Sequence, residues 1–146
     1  MSLRYLTTSA LALILMAGCE DTGTGVAPDD IAGTWTATAI VFTSVADPNV
    51  SVDLVVTEQA AATFVLNADA TYTLTFSSAL EPTENEAGVY TVTGTDLNLS
   101  PTGTGSPETF TISRIGDNMT LTGSAEFEFD PLVGEEAATM VITLRR

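Results

Sequence analysis

A period of two is the strongest constraint this chain places on its own fold. Trp35, Ala37, Ala39 and Val41 alternate with Thr34, Thr36 and Thr38, and Tyr72, Leu74 and Phe76 alternate with Thr71, Thr73 and Thr75. The pattern returns with Tyr90 and Val92 against Thr91 and Thr93, with Phe110 and Ile112 against Thr109 and Thr111, and with Met119 and Leu121 against Thr120 and Thr122. Successive side chains of a strand point to opposite faces, so this alternation specifies strands buried on one side and wet on the other. Threonine suits the wet side, because its branched Cβ favours extended backbone and facing threonines support one another across a sheet. No window beyond the N-terminal segment carries a convincing helical period, so an all-β, antiparallel domain is expected.

Turn chemistry divides the strands. Asn67-Ala68-Asp69-Ala70, Gly94-Thr95-Asp96 and Gly116-Asp117-Asn118 are short and built from residues that tolerate tight or left-handed backbone, which predicts three hairpins. The connections 43–60, 77–87, 101–107 and 130–136 are long. Long and short connections alternate in order, so an up-and-down meander collects all short turns at one end and all long loops at the other. That layout is a barrel with a closed end and a mouth. If the first strand starts beside the terminal arginine, the last strand must return to the starting end, which makes the count even, and eight strands are expected. Residues 50–56 are therefore expected to belong to the long first connection, or to join 61–66 through a bulge near Gln59.

The N-terminal segment separates by composition. Arg4 precedes an apolar run, Ala10 to Ala17, of signal-peptide length and far short of a membrane span. It ends in Leu15-Met16-Ala17-Gly18-Cys19, and Cys19 is the single cysteine of the chain. This run resembles the lipobox of bacterial lipoproteins, and the resemblance implies that residues 1–18 are a lipoprotein signal peptide. Residues 19–30, small, polar and acidic, are expected to form a tether whose eleven residues after the cysteine span roughly 18 Å as a flexible coil. The barrel domain is expected over 31–146.

Charge and residue inventory exclude several functions. The 146 residues carry 19 acids against 4 arginines, with no histidine and a net charge of −15. Such a chain lacks the basic footprint that nucleic acid requires. Absence of histidine removes imidazole general bases and the usual zinc ligand, and the lone cysteine leaves no disulfide. Carboxylates cluster at Glu81, Glu84 and Glu86 and at Glu126, Glu128, Asp130, Glu135 and Glu136. These read as solvated loop and wet-face charge, so no catalytic residue, cofactor or metal ligand is assigned and no enzyme activity is expected.

Together, Gly33 and Trp35 in a G-x-W opening of the first strand, the 66–72 hairpin, Gly88-Val89-Tyr90 and the terminal Leu144-Arg145-Arg146 resemble a bacterial lipocalin-like lipoprotein domain. The resemblance implies a lipid anchor of palmitate type on Cys19 that holds the protein to a membrane of the cell envelope, the outer one in a diderm bacterium. It also implies that the first-strand tryptophan is covered by a terminal arginine at the closed end. Thr139 and Thr143 facing outward would turn Met140, Ile142, Leu144 and then Arg146 inward, so Gly33, Trp35 and Arg146 are the expected closure.

Two function classes fit this reading. One is a tethered binding module for a small apolar or amphiphilic molecule, with Phe64, Tyr72, Phe76, Tyr90 and Phe110 as candidate lining and Ala37, Ala39 and Gly88 leaving room, since an eight-stranded barrel is just wide enough for one ligand. The other is an envelope structural or interaction module whose barrel is filled by its own side chains. In either case the acids of the long loops, including Asp47, Asp53, Glu58, Glu81, Glu84 and Glu86, would gather at the mouth and disfavour anionic ligands.

Overall fold

The alternating runs become strands nearly where the pattern places them. The computed structural model describes residues 28–103 and 105–146; the signal segment, Cys19 and the first part of the expected tether lie outside the described residues. The elements are α1 (Pro28–Ile31), β1 (Gly33–Ser44), β2 (Ser51–Asp53), α2 (Leu54–Thr57), β3 (Ala61–Leu66), β4 (Thr71–Ser77), β5 (Glu84–Thr93), β6 (Asp96–Pro101), β7 (Glu108–Ile115), β8 (Asn118–Asp130) and β9 (Gly134–Arg145). From β3 to β9 each strand pairs antiparallel with its sequence neighbour, β3 pairs with β1, and β9 returns to β1. Eight strands thus close an up-and-down barrel, and closure leaves no long free edge at its waist.

The remaining segment, β2 and α2, belongs to the first long connection. β3 pairs with β1 only over Gly33 to Thr36, and β2 takes the same edge of β1 further along, at Val41 to Thr43. Between the two, the Ile40 amide is free of both ladders and donates to Asp53 Oδ1 at 3.2 Å. The same oxygen accepts from Val55 N at 3.0 Å and caps α2, a use of aspartate that satisfies an otherwise orphaned amide. Gln59 then takes a positive φ of 53° as the chain turns into β3.

Three hairpins sit at one end. Asp69 Oδ1 accepts from the Thr71 amide and hydroxyl at 3.0 and 2.6 Å, and Ala70 at φ 65° closes the turn. Gly94 and Gly116 take positive φ in the other two turns. Arg146 N donates to Asp117 O at 3.0 Å, so the end of β9 also lies here. The long connections lie at the opposite end.

Two local expectations are corrected. First, β1 carries a bulge: its register with β9 slips between Ala37 and Ala39, and Thr38 Oγ1 donates to Thr143 O at 3.2 Å. One extra residue reverses facing, so Ile40 and Phe42 point inward beyond the bulge and Ala39 and Val41 do not. Secondly, the last residues of the expected tether are not loose chain, because Pro28–Ile31 forms a helical turn.

Candidate functional site

The closed end is built around Trp35, which is 0 % exposed. Its indole Nε1 donates to Ile31 O at 2.7 Å, and Ile31, also fully buried, plugs the barrel beneath it. The Arg146 guanidinium stacks 4.5 Å from the indole and donates to Ala32 O at 2.6 Å. Arg114, to which the sequence analysis assigns no role, stands 5.8 Å from the same ring and donates to Asp30 O and Gly116 O. Three consecutive carbonyls at the end of α1 thus each receive a donor, which answers the orphan acceptors of a helix terminus. Gly33 explains its own place in G-x-W: φ is +146°, and a Cβ there would lie 3.0 to 3.3 Å from the Arg146 guanidinium.

Directly above Trp35 the barrel is occupied by buried side chains. Tyr72 and Tyr90 are nearly fully buried, but neither lines the large cavity toward the long loops, which departs from the expected ligand contacts. Tyr90 donates to Asn67 O at 2.7 Å. Burial first, then the charges of Asp29 and Asp69, push its phenol above the ordinary value. Tyr72 lies across Gly88, its register partner, where a Cβ would fall 2.7 Å from the ring and 2.2 Å from Ser100 O. Gly88 therefore leaves no room; the tyrosine fills it. Phe110 covers Gly123 in the same manner.

Toward the long loops the barrel is hollow. A cavity of about 440 Å³ is lined by Ile40, Phe42, Leu54, Ala62, Phe64, Leu74, Phe76, Leu99, Phe110, Met140 and Ile142, with Glu84 and Glu108 as its two polar members. Phe64, Phe76 and Phe110 of the expected ligand contacts meet here. Leu54 reaches the cavity from α2, so the capped helical turn forms part of its wall. The volume lies within the usual range of small-molecule sites.

The lip of the cavity is acidic, and by an inward route. Tyr90 and Gly88 set the facing of β5, and the same parity carries Glu86 and Glu84 to the inner side, opposite Leu74 and Phe76. Beyond Gly88, β5 has no ladder partner in β6, and β6 meets β7 only as far as Glu108. Glu86 uses this opening to accept from the Tyr72 hydroxyl at 2.6 Å. Burial, then that bond and charge, raises the Tyr72 phenol well above its ordinary value. Glu108 lines both the cavity and an outer cleft between β7 and β8, with Phe110 and Met140 shared between the two. The residue is exposed, yet burial and then the neighbouring Glu86 hold its carboxyl above the usual range. Among the described residues no group of three metal-ligating side chains is placed to hold a metal ion, and no helix is long and apolar enough to cross a membrane.

A closed antiparallel eight-stranded barrel, sealed at one end by a tryptophan under two arginines and hollow toward the other, defines a class of β-barrel built around its interior. The family model of a lipocalin-like domain matches residues 31–122, more than half of the chain. The protein belongs to this lipocalin-like family. No curated protein and no solved structure matches the chain.

Proposed function

We propose that the protein is a lipid-anchored envelope module whose barrel takes one small apolar or amphiphilic molecule through its long-loop end. The observation that carries this reading is the cavity: eleven apolar side chains surround about 440 Å³ of space that the described residues leave unfilled. Burying a ligand's apolar surface there gains on the order of 25 cal/mol for each Å² removed from water. The sealed end leaves the mouth as the route in. Lys- and histidine-free composition and solvated carboxylates support a binding role over catalysis.

The anchor rests on the sequence Leu15 to Cys19, followed by a short acidic tether. Mass spectrometry of membrane-extracted protein should find residues 1–18 removed and Cys19 acylated. A soluble form starting elsewhere would remove the anchor from the account. For the barrel, native mass spectrometry should detect a co-purified small molecule, and a neutral fluorescent probe such as N-phenylnaphthylamine should brighten on binding. Failure of every apolar probe would favour the alternative of a non-enzymatic envelope interaction module.

A further inference from the structure

We propose that the molecule held in this cavity carries a cationic head group, an amine or quaternary ammonium, seated at Glu108 and Glu84 with its apolar tail inside the barrel. This rests on the reading of the cavity as a ligand site and adds which chemistry that site selects.

The first argument is the segregation of charge along the barrel axis. Arg114 and Arg146 are stacked on Trp35, and Arg145 pairs in the ladder with Thr36 and Asn118. All three arginines among the described residues therefore stand at the closed end. Among the described residues the cavity wall carries no cation, and its charged members are Glu84 and Glu108. A carboxylate, sulfate or phosphate head would find no counter-ion at the lip and would meet carboxylates of its own sign.

The second argument is placement. Glu84 and Glu108 come from strands β5 and β7, which flank the shortened β6, so they face the opening from two sides. Glu86, two residues along β5 from Glu84 on the same face, is held by the Tyr72 hydroxyl, which makes it a stationary carboxyl neighbour. The Glu108 carboxyl, partly withdrawn from water and beside Glu86, is held above its usual value because its charge is unfavourable there. A bound cation relieves that cost, whereas a neutral head leaves it unchanged and an anion adds to it. The depth of the cavity is apolar, from Leu54 and Phe64 through Ile142, so the tail and the head are read by different parts of one site.

The test uses three probes of equal chain length, decyltrimethylammonium, decanol and decanoate, each displacing N-phenylnaphthylamine from the whole protein. The cationic probe is expected to bind tightest and the anionic one weakest. The gap should narrow at about 1 M salt, where screening acts over about 3 Å. In a Glu84→Gln/Glu108→Gln variant the cationic probe should weaken about tenfold, the scale of two partly exposed ion pairs, while decanol binds as before. Circular dichroism and thermal unfolding of that variant confirm that the barrel is intact. Decanoate binding as well as or better than the ammonium, or an ammonium affinity unmoved in the variant, would overturn the head-group assignment and leave the cavity reading standing. If no probe displaces the dye or binds, the cavity reading itself is overturned.

Discussion

Trp35→Phe is the sharpest test of how the barrel is sealed. The indole Nε1 donates to Ile31 O at 2.7 Å with both residues fully buried. Phenylalanine keeps an aromatic body but has no donor, so the Ile31 carbonyl loses its partner in a place that water does not reach. Leaving a buried acceptor unpaired costs about 1–3 kcal/mol. The smaller ring also loosens contact with two guanidinium groups, each worth about 0.5–1 kcal/mol when partly exposed. A total near 2–4 kcal/mol is expected for Trp35→Phe, against about 3–5 kcal/mol for the full truncation Trp35→Ala. Urea unfolding followed by far-ultraviolet circular dichroism measures both, since the chain's only tryptophan is removed and cannot serve as the probe. Arg146 donates to the adjacent Ala32 carbonyl and stacks on the same ring, so Trp35→Phe and Arg146→Gln should be non-additive. A Trp35→Phe cost below about 1 kcal/mol at an unchanged urea slope would refute the sealing argument. So would additivity of the pair within about 0.5 kcal/mol.

Three further substitutions have defined outcomes. Gly88→Ala places a Cβ against Ser100 O and the Tyr72 ring and should cost about 3 kcal/mol as overpacking against backbone, read as a lowered melting temperature. Asp53→Ala strips the cap from α2 and the partner from Ile40 N. It should cost about 1–2 kcal/mol and speed ligand release in stopped-flow, because Leu54 forms part of the cavity wall. Glu108 has a raised carboxyl in the folded state, so it is neutral in effect below its unfolded value and destabilising as pH rises through that value and above. Glu108→Gln should therefore raise the melting temperature at neutral pH and leave it unchanged near pH 4, and equal shifts at both would contradict the assignment.

Parity carried most of what could be read in the sequence. Tyr72, Tyr90, Phe110, Ile112, Met119 and Leu121 face inward as their alternation with threonine requires. Extending that parity from Leu144 to residue 146 puts Arg146 beside Trp35. The identical step from Phe110 and Ile112 leads to Arg114, so the second arginine is legible in the same pattern. Glu84 and Glu86 likewise follow the parity of Gly88 and Tyr90, but their charge made the segment look like loop. What could not be read is the bulge at Thr38. Ala39-Ile40-Val41-Phe42 is apolar at every position, so a slip of one residue costs no hydrophobic burial that the sequence would reveal. The cavity depends on that slip, since it delivers Ile40 and Phe42 to the interior. Asp53 gave no sign of its role, because its partner Ile40 N is left over only when β2 and β3 divide one edge of β1 between them.

The division of β1's edges has a consequence for the order in which the molecule can assemble. β1 is the first strand among the described residues, yet its partner on one side is β9, and the bond from Arg146 to Ala32 O joins residues 114 apart. From β3 to β9 the walls are contacts between sequence neighbours, and the β1–β3 contact spans only the intervening β2 and α2, so these can form as the chain emerges. β1 must wait with an open edge until β9 is complete, and the seal over Trp35 can close only after that. Such a distant final pairing places folding in the range of milliseconds to seconds expected for β topologies rich in non-local contacts. Substitutions at the β1–β9 seam should accordingly act on the rate of the closing step, while changes in the local hairpins act earlier.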